Sequence, residues 1–169
     1  MEKLLYVPHP LLRQQAKKIN SVGDEELNIA KKMKEIMFRA PGVGLAANQI
    51  GILKQIVTIF FVDQETKKET QYSLFNPNII FYSKEKIVME EGCLSLPEQY
   101  AEIERPKSII IEYLNEKNQL IEKEVNGVEA RILQHEIDHL EGKLFVDYLS
   151  SLKRNIIIKK VKKYLKNKN

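Results

Sequence analysis

Two histidines four residues apart, His135 and His139, flank a glutamate in the run Gln134-His135-Glu136-Ile137-Asp138-His139-Leu140. Side chains at i and i+4 lie one above the other on a helix face, so both imidazoles can coordinate one ion. Glu136, one position round, then stands near that ion's water. This is hydrolytic chemistry: the ion generates the nucleophile and the carboxylate moves protons. Histidine is scarce in the chain, three in 169 residues, and two of the three are here. A lone histidine on a helix is more often a surface or satisfied core residue than a ligand. Here the surroundings favour a site. After Asn126-Gly127, apolar Val128, Ile132, Leu133, Ile137 and Leu140 recur at helical spacing, and Gly142 suits the position just past the helix end. On such a mostly buried helix, two imidazoles and two carboxylates need a metal or other partners to offset desolvation.

Two histidines do not complete a catalytic centre, which usually takes three protein ligands and a water. Downstream, only Asp147 lies close. Upstream, the single cysteine, Cys93, sits in Glu91-Gly92-Cys93-Leu94-Ser95, and its thiolate is a strong ligand for iron or zinc. Without context, a lone cysteine is an inert buried small hydrophobe. A third stretch, Gly42-Val43-Gly44-Leu45-Ala46-Ala47-Asn48-Gln49, is a small-residue loop that lets backbone approach a ligand and ends in an amide donor. It lacks the Gly-Lys-Ser/Thr of a phosphate-binding loop.

Together and in this order, Gly-x-Gly-x-Ala-Ala-x-Gln, Glu-Gly-Cys-x-Ser and Gln-His-Glu-x-Asp-His-Leu closely resemble the motifs of the peptide deformylases. The resemblance spans nearly the whole chain, from Pro8-His9-Pro10-Leu11-Leu12-Arg13 to Gly142-Lys143-Leu144-Phe145-Val146-Asp147-Tyr148-Leu149. It implies that Cys93, His135 and His139 hold one divalent metal with water in the fourth position, and that Glu136 is the general acid/base. It further implies that Gln49 and the backbone N–H of Leu94 stabilise the oxyanion formed on the formyl carbon. The reaction so implied is hydrolysis of the N-formyl group of formyl-methionine on newly made polypeptides, releasing formate. Fe²⁺ is the implied working ion, while Zn²⁺, Ni²⁺ or Co²⁺ also suit the donor set.

The resemblance places the extended substrate between Gly42, Val43, Gly44 and the strand entering Cys93, where main-chain pairing is indifferent to sequence. The methionine side chain would enter a pocket lined by Val43, Leu94, Val128 and Ile132, with His135 at its wall. Glu91 is expected both along the substrate strand and, with Arg105 and Asp138, behind the ligands. Arg131 reads as a solvated surface residue. Where many members carry Arg, this chain has Tyr100, which puts that guanidinium's contact to substrate backbone in doubt.

At 169 residues and 43% hydrophobic, the chain suits one compact domain. The reading expects residues 1–150 to form the metal-dependent catalytic domain and 151–169 a basic helix or tail of the same domain. No run of about 18 apolar residues predicts a membrane span, and Met1-Glu2-Lys3-Leu4-Leu5-Tyr6 has no signal pattern. One cysteine excludes an internal disulfide, so the expected compartment is the cytoplasm, or an organellar matrix in a eukaryote.

Periodicity predicts a helix over Asp24–Ala40, capped by Asp24, with Leu27, Ala30, Met33 and Met37 on one face. Strands are predicted at Ile56–Val62, Leu74–Phe81, Ile87–Glu90, Ser108–Leu114 and Leu120–Val125, the last two joined as a hairpin. The expected fold class is α+β: mainly antiparallel sheets packed around a central metal-binding helix, with a C-terminal amphipathic helix.

Residues 151–169 contain eight Lys/Arg and no acid, which leaves 19 basic against 23 acidic side chains in the first 150. Leu152, Ile156, Val161 and Leu165 predict an amphipathic helix after a Ser150 or Ser151 cap. Its basic face is either a solvated surface or an electrostatic contact to ribosomal RNA. Two other classes stand beside deformylation: a zincin-like endopeptidase sharing His-Glu-x-x-His, and a non-catalytic ribosome- or RNA-binding module with a structural metal. With a helix-like tail and no long insertion in the first motif, the chain resembles the shorter bacterial-type deformylases.

Overall fold

Runs rich in β-branched and aromatic residues pair into two antiparallel sheets, and three amphipathic segments cover them as helices. The computed structural model describes residues 3–168. The strands are β1 (Gly44–Ala46), β2 (Ile56–Val62), β3 (Glu69–Tyr82), β4 (Lys86–Cys93), β5 (Leu96–Pro106), β6 (Ser108–Leu114) and β7 (Leu120–Asn126). The helices are α1 (Asp24–Arg39), α2 (Gly127–Leu140) and α3 (Ser151–Lys168). A five-stranded sheet runs β1-β2-β3-β6-β7, and β4 and β5 form a separate two-stranded ribbon. The architecture is α+β, as expected.

The metal-motif helix α2 lies on the five-stranded sheet. Ala130, Ile132, Leu133 and Leu140 pack against Val57, Ile59, Leu74, Ile109, Ile111 and Val125, all buried. Helix α1 covers a second core through Ile29, Ala30, Met33 and Met37 against Leu45, Ile56 and Phe75. Its start differs from expectation: Asp24 is the first helical residue, and the Glu26 carboxylate reaches back to accept from Gly23 N–H at 3.1 Å. That arrangement supplies a donor at the helix entrance with a partner.

Helix α2 ends where expected. Gly142 adopts φ 71°, Lys143 N–H donates to Asp138 C=O at 2.9 Å, and Gly142 N–H donates to His139 C=O at 3.0 Å. This paired closure needs a left-handed residue, which glycine supplies without strain. It fixes the last turn, and with it His139.

Strand β3 runs through Pro77, which sits where the pairing with β6 slips between Phe75 and Asn78. A proline cannot donate to the ladder and is accommodated at such an irregularity. Strand β5 was not expected. Its inward positions Ile103 and Arg105 are buried, but one carries a charge, and Leu96–Pro106 is otherwise dominated by polar residues and two prolines.

Helix α3 docks by the C-terminal half of the stripe that periodicity selects, Val161 and Leu165, joined by Ile157 in place of Leu152 and Ile156. Ile157 and Val161 are buried against Leu96, Ile103, Phe145 and Val146, with Leu165 packed alongside. Leu152 and Ile156 face solvent. The register is set by the docking partners: the helix buries the side chains that meet β5 and the turn Phe145–Tyr148.

Candidate active site

Two elements bring the chemistry together. His135 and His139 project from α2, and Cys93 ends β4 just before the turn into β5. The ligand atoms of Cys93, His135 and His139 all lie within 4.8 Å of one another, with both imidazoles buried. Cys93 Sγ is 3.3 Å from His139 Nε2. Asp147, the downstream alternative, is instead held by Arg13, with Nη1 to Oδ2 at 2.6 Å and Nη2 to Oδ1 at 3.0 Å.

The donor set fits a divalent metal. One soft thiolate and two imidazoles are a familiar set for iron, zinc, cobalt or nickel. A ligating histidine characteristically has its other ring nitrogen on a carboxylate, and His135 Nδ1 is 2.9 Å from Glu91 Oε1. Burial holds His139 well below its usual range, the direction a neutral imidazole ligand needs. At the same centre, Glu136 Oε2 is buried without a hydrogen-bond partner among the described residues. That oxygen is left with acceptor capacity that a non-protein group at the centre can use.

Glu136 is 5% exposed, and burial pushes its pKa up to about 7. Gly44 permits this placement, because a Cβ there would lie 2.6 Å from Glu136 Oε1. Gln49 is oriented by its own acceptor. Its Oε1 takes Ala46 N–H at 2.9 Å, which turns the amide nitrogen toward Ser95 Oγ at 3.1 Å and Cys93 Sγ at 3.5 Å. Leu94 lies in the turn joining β4 to β5, next to the sulfur.

Glu91 is the hub of the charged cluster behind the ligands. Arg105 donates to it through Nε at 2.6 Å and Nη2 at 2.9 Å, and Arg131 Nη1 donates at 2.7 Å. Burial opposes ionisation, but the bonds from His135 and Arg105 prevail and hold the Glu91 carboxyl well below the usual range. Arg105 Nη1 also donates to Asp138 Oδ2 at 2.8 Å, and Tyr148 O–H donates to the same oxygen at 2.7 Å. Of its two expected places, Glu91 therefore takes the one behind His135, and its carboxylate is not turned to the cleft.

Arg131 corrects the expectation of a surface residue: it is 6% exposed. Sequence reasoning missed it, Ser95 and Tyr148. For Arg131 the signal was its spacing from His135 by one helical turn, which sets it on the buried side of α2.

A cavity of about 1050 Å³ opens over the centre. Gly42, Val43, Gly44, Gln49, Cys93, Leu94, His135 and Glu136 line its inner end, and Pro97–Tyr100, Tyr6, Tyr164 and Leu165 its outer part. Tyr100, 64% exposed, thus borders the cleft. Val128 and Ile132 do not line this cavity; Val128 is half exposed, and Ile132 is buried on the helix face it shares with His135.

The sequence pattern of the polypeptide deformylase family matches residues 1–155. The chain is 43% identical over 166 residues to the peptide deformylase of Phenylobacterium zucineum, covering 98% of each. It is 46% identical over 172 residues to that of Pelagibacter ubique, covering 99% of this chain and 97% of the relative. The crystal structure of peptide deformylase from Ehrlichia chaffeensis superposes with a TM-score of 0.95 at 34% identity, covering 99% of this chain and 98% of that one. A second structure of the Ehrlichia chaffeensis enzyme, in complex with actinonin, gives a TM-score of 0.91 at 36% identity over 97% of both chains. Sequence, fold and site geometry agree: the chain belongs to the polypeptide deformylase family.

Proposed function

We propose that the residues gathered at Cys93 carry out the family's reaction, hydrolysis of the N-formyl group at the start of nascent polypeptides, with the roles given below. The observation that carries this reading is the convergence of Cys93 Sγ with His135 and His139, with Glu136 beside them, its Oε2 buried without a hydrogen-bond partner among the described residues. Cys93, His135 and His139 would hold a divalent ion, which would supply a water acidified toward a pKa of about 7 and a Lewis acid for the carbonyl. Glu136 accepts a proton from the attacking water and returns it to the leaving amine nitrogen, a task suited to a pKa near the operating pH. Gln49 Nε2 and Leu94 N–H donate to the oxygen that gains charge, and Ala46 N–H fixes the Gln49 amide in advance. The products are formate and a free amino terminus.

The substrate chain lies extended between Gly42–Gly44 and the end of β4, beside β1, the edge strand of the five-stranded sheet. Its methionine side chain takes the apolar recess at Val43 and Leu94 against His135. The cysteine ligand and the family match favour this reading over an endopeptidase.

Fe²⁺ is the working ion in this reading, and the cytoplasm the compartment that keeps Cys93 reduced. Formate release from a formyl-Met peptide, by protein loaded anaerobically with Fe²⁺ and in parallel with Zn²⁺, tests it. Faster turnover with Fe²⁺ supports the assignment, and equal or faster turnover with Zn²⁺ contradicts it.

The exposed lysines of α3, Lys159, Lys160, Lys162 and Lys163, are assigned an electrostatic contact to ribosomal RNA. Replacing all four by Glu should abolish salt-sensitive ribosome association and leave short-peptide turnover intact. Association unchanged by those replacements would remove the assignment.

A further inference from the structure

The thiolate ligand and the two imidazole ligands come from separate bodies. Cys93 ends the β4–β5 ribbon, whose strands pair with each other and not with the five-stranded sheet, while both histidines stand on α2, which is packed on that sheet. Ligand spacing therefore depends on how the ribbon is fastened to the helix.

Arg131 is the α2 side chain that reaches main-chain carbonyls of both ribbon strands. Its Nη2 donates to Ile87 C=O of β4 at 2.7 Å, and its Nη1 donates to Ile103 C=O of β5 at 2.8 Å and to the Glu91 carboxylate at 2.7 Å. Gln134, further along the helix, reaches only β5 of the two ribbon strands, at Pro106 C=O, and also donates to Ala130 C=O of its own helix. Glu91 is two residues before Cys93 and also meets His135, so one guanidinium spans the ribbon and grips the carboxylate that orients a ligand. Two buried guanidiniums, Arg105 and Arg131, face two carboxylates, Glu91 and Asp138, so the joint is balanced in charge.

We propose that Arg131 is a positioning residue: it clamps the β4–β5 ribbon to α2 and so sets the spacing of Cys93 from His135 and His139. The inference rests on those three residues being the metal ligands. A rigid planar fork with several fixed donors suits this span, and the compact ammonium of lysine does not reproduce it.

The test uses full-length protein loaded with Co²⁺. It reads the thiolate-to-cobalt charge-transfer band and the rate of Co²⁺ release to a chelator for wild type, Arg131→Lys, Arg131→Met and Ile29→Ala. The last removes core packing under α1 and controls for lost stability alone. Groups that orient metal ligands typically change affinity about 10- to 100-fold when replaced. The expected result is a shifted band and release at least about 10-fold faster for folded Arg131→Lys, faster again for Arg131→Met, and wild-type release for Ile29→Ala. A wild-type band and release rate in folded Arg131→Lys would overturn the clamp, as would equally fast release from Ile29→Ala. Wild type that takes up no Co²⁺ would overturn the ligand assignment beneath it.

Discussion

Glu91 Oε1 lies 2.9 Å from His135 Nδ1, and the same carboxylate is gripped by Arg105 and Arg131. One buried negative charge thus orients a ligand and joins the ribbon to the helix. Replacing it strands two guanidiniums in a low-dielectric setting, which costs about 3–5 kcal/mol when a buried pair is broken. Glu91→Gln should lower the denaturation midpoint and release metal about 10- to 100-fold faster. Wild-type stability and retention in that variant would show that the carboxylate is dispensable.

The pH dependence of stability follows from the same group. The folded state holds the Glu91 carboxyl below its ordinary 4.5. A depressed carboxylate contributes stability that is fully present above the unfolded value and is lost as pH falls toward the folded one. Stability should therefore decline below about pH 4.5 and decline less steeply in Glu91→Gln. Parallel denaturant titrations at pH 3 to 7 read this; identical slopes for the two proteins would contradict it.

Burial sets Glu136 at about 7. A base must be ionised to take a proton, and a cation held beside it favours ionisation. The acid limb of kcat/KM should accordingly fall at or below pH 7. A limb above pH 7 would exclude Glu136 as the group responsible.

Gly44 is fixed by its neighbour, since a Cβ would press on Glu136 Oε1 at 2.6 Å. Gly44→Ala should displace the carboxylate and lower kcat about 100-fold, the cost of a misplacement of roughly 1 Å. Metal content should stay at the wild-type level. Unchanged turnover would show that Glu136 tolerates the shift.

Helix α3 belongs to the folded body, because Val161 is fully buried and Tyr164 and Leu165 border the cleft. Deleting residues 159–169 removes that packing, so the truncated chain should unfold at markedly lower temperature. A melting temperature equal to wild type would mean that the helix docks without contributing stability.

The sequence made some of this legible and hid the rest for physical reasons. His135, Glu136 and His139 declare themselves because a four-residue spacing has one geometric meaning on a helix. Strands Ile56–Val62 and Ser108–Leu114 matched expectation because their composition and turns agree. Strand β5 was obscured because an inward position carries Arg105, whose partners Glu91 and Asp138 lie 14 and 33 residues away. Arg131 was misread for the same reason: a charge is buried only when distant acceptors meet it. On α3, Val161 and Leu165 dock as periodicity indicates, but Ile157 replaces Leu152 and Ile156, because a helix with apolar residues at several phases takes its register from what it docks on.

In the proposed reaction this donor set and Glu136 remove a formyl group and do not cut the peptide chain. The most direct measurement is mass spectrometry of a formyl-Met peptide incubated with metal-loaded wild type and with metal-loaded Glu136→Ala, with formate assayed alongside. The expected result is a single product lighter by one formyl group, stoichiometric formate, and no product from Glu136→Ala although it retains metal. Internal cleavage of the peptide, or full turnover by Glu136→Ala, would contradict it.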